Sequence, residues 1–134
     1  MLSPQSKYAL RAMIYLSKHG GDKFLRVEQI AQSTNLPAPF LSKILKQLVQ
    51  SKIILSRRGK NGGVMLNPQC SDPSFHHVCL AVGEPLLHAE CVLFKRACNK
   101  RRPCAFHHSW SNTKARLIEF LQRTRLSSHI RRRL

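Results

Sequence analysis

Three cysteines and a histidine, Cys91, Cys98, Cys104 and His107, fall within seventeen residues of this 134-residue chain, separated by six, five and two residues. Thiolate and imidazole are soft or borderline ligands, and one short irregular loop can turn all four inward upon a metal. Packing alone does not account for the loop, because Lys95, Arg96, Lys100, Arg101 and Arg102 lie among the cysteines. So many charges do not belong in a buried core segment. Cys91, Cys98, Cys104 and His107 are therefore the expected metal donors, with His108 as the alternative fourth. Cys79 sits on the apolar side of a predicted helix and reads as core. Cys70 has no neighbour in sequence that gives it a role, and His76, His77 and His88 read as surface histidines.

The charge balance narrows the partner. Against 6 Asp and Glu stand 23 Lys and Arg, a formal net charge of +17. Such a field favours a polyanion, of which nucleic acid is the commonest. No run approaches the ~18 apolar residues of a spanning helix, and Lys7, Arg11 and Lys18 interrupt the first twenty residues where a signal peptide is apolar. The expectation is a cytoplasmic protein without a membrane partner. An odd count of five cysteines suits reduced thiols and metal chemistry better than a disulfide framework. No acid/base pair accompanies the cysteines, and the glycine-rich run at 59–63 lacks the Lys-Ser/Thr ending of a nucleotide loop. An enzyme is not expected.

The elements that must hold the loop are legible from periodicity. Ala9, Met13 and Leu16 recur at helical spacing before Gly20-Gly21, and Val27, Ile30 and Ala31 mark a short second helix ended at Thr34-Asn35. Pro37 opens a third, with Leu41, Ile44, Leu45, Leu48 and Val49 inward and Phe40, Ser42, Lys43, Lys46 and Gln47 outward. That order predicts a helix-turn-helix. Ile53 to Arg57 and Val64 to Leu66 then read as a hairpin with a basic tip at Arg58 and Lys60, which would be a wing. Asp72 and Pro73 are expected to start a fourth helix. Phe106, Trp110, Thr113, Leu117 and Phe120, widened by Ile118 and Leu121, form an apolar stripe on a last helix. Such a stripe suits a symmetric dimer, which would set two recognition helices roughly 34–36 Å apart. The run Arg131-Arg132-Arg133 would add phosphate attraction.

The fold expected is mainly α with a small β-hairpin: a winged helix-turn-helix plus a long C-terminal dimerisation helix. Residues 1–83 would form the DNA-binding domain and 84–108 the cluster-binding loop. Residues 109–126 would complete a dimerisation helix starting near residue 104, and 127–134 a basic tail. A second function class shares the cysteines. Cys-x6-Cys-x5-Cys followed by x3 to His108 approaches a CCCH zinc finger that binds single-stranded RNA.

Taken together, the chain resembles the IscR and NsrR family of iron–sulfur transcription regulators over essentially its whole length, nearest the IscR branch. The resemblance rests on Ser6-Lys7-Tyr8-Ala9-Leu10-Arg11-Ala12-Met13, on Leu41-Ser42-Lys43-Ile44-Leu45 and on Arg57-Arg58-Gly59-Lys60-Asn61-Gly62-Gly63. It rests also on the cysteine run with its histidine, ending in Trp110. It implies a homodimeric winged helix whose affinity for a double-stranded operator changes with the state of a cluster on Cys91, Cys98, Cys104 and His107. A 2Fe-2S centre is expected ahead of 4Fe-4S. The first gap is x6 here against x5 in that branch, and Lys7 stands where NsrR-like members place an acidic ligand. On the DNA side, Phe40, Ser42 and Lys43 are expected at base edges and Lys7, Arg58 and Lys60 at phosphate or groove.

Overall fold

A computed structural model describes residues 2–70, 72–88, 99 and 101–128. Cys91, Cys98, Lys95, Arg96, Lys100 and the terminal arginine run lie outside the described residues. Helices α1 (Pro4–His19), α2 (Val27–Thr34) and α3 (Ala38–Gln50) lead into strands β1 (Ile54–Arg57) and β2 (Gly63–Leu66). Helix α4 (Phe75–Ala81), a 3-10 turn (Pro85–Leu87) and helix α5 (His107–Arg123) follow.

Local chemistry explains the boundaries. Ser3 caps α1 by accepting the Ser6 N–H, with Pro4 in the first turn where no donor is needed. Helix α2 ends on Asn35 in the left-handed region (φ 56°), a conformation asparagine tolerates, and this tight corner sets α3 across α2. Leu41, Ile44, Leu45 and Leu48 of α3 are buried against Ala9, Met13 and Leu16 of α1 and Ile30 of α2 in one core with Ile53, Ile54, Val64, Val78 and Leu126. The hairpin is antiparallel, with Ile54 opposite Leu66 and Arg57 opposite Gly63.

One pairing was not foreseen. Leu25, just before α2, exchanges two 2.8 Å backbone hydrogen bonds with Val64. This stitches the hairpin to the α1–α2 connection and makes it a wing held at its base. Gly63 permits the approach, because its φ is +140° and a Cβ there would sit 2.0 Å from the Leu25 carbonyl oxygen.

Three expectations need correction. Helix α4 is capped by Ser74, whose hydroxyl accepts the His77 N–H. Asp72 instead accepts from the Ser127 N–H (3.1 Å) and hydroxyl (2.6 Å), tying the segment after α5 to the start of α4. Helix α5 starts at His107, since Cys104 forms a turn whose carbonyl accepts the His107 N–H at 3.1 Å. Leu121 faces inward and is fully buried in the chain's own core, so it does not belong to the outer stripe.

A buried polar knot closes the other end. The Glu84 carboxylate is 2% exposed and accepts from the Ser3 N–H (3.0 Å), the Ser3 hydroxyl (2.8 Å), the Ser6 hydroxyl and the Leu86 N–H (3.4 Å). Burial pushes its pKa up, but these hydrogen bonds outweigh burial and hold it below the usual carboxylate range. Beneath it Cys79 is fully buried. Burial, and then the Glu84 charge, push its thiol up to about 11 against the Ser6 hydrogen bond. Cys79 is an inert core thiol, as its helical position indicates.

Glu84→Ala is expected to leave the Ser3 and Ser6 donors stranded and to cost roughly 3 kcal/mol at pH 7, measured by urea unfolding. Because the folded pKa is depressed, this contribution is complete above the ordinary carboxylate pKa and is lost as pH falls through the folded value. The gap between wild type and variant should therefore narrow only in acid. A gap independent of pH would contradict an ionised Glu84.

Candidate DNA-binding and metal-binding sites

Helix α3 carries its predicted outward residues outward. Ser42, Lys43 and Lys46 are exposed, and Phe40 is 41% exposed despite its size. Its ring stands edge-on to Tyr8 at 5.4 Å between centroids. Gln5 donates to Gln47 at 2.6 Å, so α1 braces the exposed side of α3 at two points. Lys7 is exposed on α1, and Arg58 and Lys60 are exposed at the wing tip. All six side chains are thus available to a large partner, with two hydrogen-bonding or cationic groups on one helix and two cations on the hairpin.

The wing's attachment creates a feature absent from the sequence reading. Between the α1–α2 connection and the wing lies a groove of about 490 Å³ whose lining includes Lys23, Phe24, Arg26, Arg57 and Lys60, with Asp22 as its one carboxylate. Arg26 Nη2 donates to the Lys60 carbonyl at 2.6 Å and Arg57 Nη2 to the Asn61 carbonyl at 2.7 Å. The Arg57 guanidinium also stacks over Phe24, 4.3 Å from the ring centroid. Lys23 and Arg26 lie far from the wing in sequence. Only the pairing of Leu25 with Val64, which no periodicity signals, joins them to it.

On the metal side, two of the four expected donors are described. Cys104 is exposed, and His107 is half-buried in the first turn of α5. The Asn99 side-chain oxygen accepts the backbone N–H of Arg101 (2.9 Å) and of Arg102 (3.4 Å), a local turn that leads the chain into Cys104. The first turn of α5 contains no acidic residue, so its partial positive charge is available to a thiolate or an anionic group. His107 Nε2 lies 3.5 Å from the Ser111 hydroxyl, a partner that can fix the ring's orientation, as metal-binding histidines require. Trp110 follows one turn later. Its indole N–H is buried without a hydrogen-bond partner among the described residues. An accessible thiol, an oriented imidazole and an unspent donor fit an iron–sulfur group. Among the described residues alone, no group of three or more His, Cys, Asp or Glu side chains could hold a metal, and Cys91 and Cys98 are not among them. Cys70 lies 3.9 Å from His77 Nδ1. Burial pushes its thiol up, and two donors do not make a metal site.

A helix-turn-helix with a base-anchored wing, cationic at both recognition helix and tip, is the architecture of a DNA-binding protein. The chain belongs to the Rrf2 family, whose description is iron-dependent transcriptional regulator and whose pattern matches residues 2–132. It is a family of transcriptional regulators, not of enzymes. An HTH-type transcriptional regulator of Aquifex aeolicus is 27% identical over 97% of this chain and 91% of that protein. IscR of Yersinia pseudotuberculosis is 25% identical over 94% of this chain and 76% of its own length. Among solved structures, T. potens IscR superposes with a TM-score of 0.77 at 19% identity, covering 100% of this chain and 88% of that one. CymR, the global cysteine regulator of B. subtilis, gives 0.76 at 23% identity, covering 95% and 93%. These likenesses establish the winged-helix fold. Among the described residues no helix is long and apolar enough to cross a membrane.

Proposed function

We propose that this chain is a cytoplasmic, homodimeric regulator whose hold on an operator duplex is modulated by an iron–sulfur cluster on Cys91, Cys98, Cys104 and His107, 2Fe-2S ahead of 4Fe-4S. The observation that carries the reading is the placement of Cys104 and His107 at the foot of α5, in a chain whose other end is a winged helix. When bound, the cluster supplies a centre that responds to oxidant, nitric oxide or iron supply. The chain's own residues do the rest. Three thiolates and one neutral imidazole around an oxidised 2Fe-2S core would leave about one net negative charge, which Arg101, Arg102 and the α5 amides would offset. Cys104 and His107 would hold the group together from the turn that opens α5, and so would couple its presence to the tilt of α5. Helix α5 packs on α4, where Phe120 stands edge-on to Phe75, and α4 packs on the core that carries α3. A small rotation of α5 therefore changes the separation of the two recognition helices in a dimer.

Phe40, Ser42 and Lys43 then address base edges, while Lys7, Arg58 and Lys60 take phosphate or groove positions. The test is the affinity for operator-containing duplex of anaerobically purified protein before and after chelation of its iron. A change of roughly 5–150-fold, in either direction, is expected for a coupled site. Identical affinities would defeat the proposal. A colourless protein holding stoichiometric zinc would overturn the choice of metal and favour the CCCH alternative.

A further inference from the structure

We propose that the groove between the α1–α2 connection and the wing is a phosphate-binding site, formed by Lys23, Arg26, Arg57 and Lys60. The inference rests on the DNA-binding reading and adds two residues, Lys23 and Arg26, to those expected there. Four cations converge on a space of about 490 Å³ in which Asp22 is the only carboxylate. Like charges so gathered repel one another, and that repulsion is relieved when an anion enters.

The two guanidinium groups are already ordered. Arg26 is pinned by the Lys60 carbonyl, and Arg57 by the Asn61 carbonyl and the Phe24 ring. Each of these anchors uses one nitrogen, leaving the remaining N–H donors of a planar fork for phosphate oxygens. Ordering in advance lowers the entropy cost of binding. A third contribution comes from α2. Arg26 occupies its N-cap and no side chain caps the first turn, so backbone N–H groups there add to the cations of the groove, against the one negative charge that Glu28 brings to the same turn.

Phosphate chemistry can reach this groove from a duplex backbone or from a small phosphate in solution. Its size exceeds the needs of one phosphate, and it runs into the wing tip at Lys60, Asn61 and Gly62. Both features favour successive phosphates of a duplex that the wing already engages.

The experiment uses the full chain and two variants, Lys23→Gln and Arg26→Gln. Lys23 is exposed in a connection and its side chain makes no hydrogen bond or ion pair among the described residues, so that variant folds even if loss of the Arg26 anchor loosens the wing. Binding to a fluorescent duplex of arbitrary sequence is followed by anisotropy across a salt series, with Arg58→Ala as the control on the wing tip. Each groove variant is expected to weaken binding several-fold at low salt and to make the log–log salt dependence shallower by about 0.9. A parallel titration with inorganic phosphate follows the melting temperature and the phosphorus NMR linewidth.

Stabilisation of wild type but not of the variants by phosphate, with unchanged salt slopes, would keep the site and assign it to a small phosphate. Variants that match wild type in both arms, while Arg58→Ala loses duplex affinity, would eliminate the groove and leave the DNA-binding reading standing. Were wild type to bind no duplex, that reading would fail, and the phosphate titration would still decide the groove.

Discussion

Cys104→Ala is expected to yield a folded but colourless protein, with iron and acid-labile sulfide near background, where wild type purified without oxygen is expected to be brown or red. The reasoning starts from exposure. Cys104 is exposed, forms no disulfide among the described residues, and precedes α5 in a turn held by backbone atoms, so its thiol supports no packing and its loss should leave the melting temperature within about a degree. On the proposed ligand set its loss removes one of four protein donors. Changing even an outer partner of a ligand costs roughly 10–100-fold in metal affinity, and losing a ligand itself costs at least that. The duplex affinity of the variant should equal that of chelated wild type, since both lack the same group. Cys70→Ala is the matched control, expected to keep its colour. His107→Ala and His108→Ala then assign the fourth donor: the variant that changes the visible spectrum identifies the ligand. A Cys104→Ala protein with full iron, sulfide and colour would remove Cys104 from the ligand set.

These predictions divide along the line between what periodicity carries and what it does not. Helices α1 and α3 were legible because Ala9, Met13 and Leu16, then Leu41, Ile44, Leu45 and Leu48, are spaced for one buried face each, and every one of them is buried. The wing was legible because glycines and Asn61 sit between two short apolar runs. Long-range polar pairing left no comparable trace. Nothing local in the sequence joins Leu25 to Val64, Asp72 to Ser127 or Ser3 to Glu84, and those contacts anchor the wing, dock the end of α5 and close the knot over Cys79. The error at α4 has the same root. Asp-Pro is a good helix opening on local grounds, but Ser74 took the cap while Asp72 took a partner fifty-five residues away. On the site itself, Cys104 and His107 are placed at the foot of α5, whereas Cys91 and Cys98 lie outside the described residues.

Phe120→Asp should convert the proposed dimer into a monomer, with duplex affinity falling by roughly 10²–10⁴-fold because two linked half-site contacts become one. Helix α5 is about 25 Å long at the usual rise, yet Leu121 is its one fully buried side chain. Leu117 packs partly on the core, while Phe106 and Phe120 stay 64% and 55% exposed. Fully burying a phenylalanine is worth roughly 1.5–3 kcal/mol. The stripe through Phe106, Trp110, Thr113, Leu117 and Phe120 thus has apolar surface left over after the chain has packed on itself. A second copy of α5 is the proposed cover, since a symmetric partner presents the same stripe. An aspartate there would be desolvated opposite another aromatic face, which dimerisation cannot tolerate. Phe120 also stands edge-on to Phe75 at 6.5 Å, so its replacement disturbs the protomer slightly. Thr113→Asp avoids this, because Thr113 is exposed and, among the described residues, its hydroxyl bonds only the Ser109 carbonyl one turn back. Sedimentation equilibrium at micromolar concentration reads the result. Two variants that remain dimeric, or a wild type that is monomeric while binding its operator with full affinity, would move the subunit contact away from this stripe and remove the lever by which the cysteine loop is proposed to act.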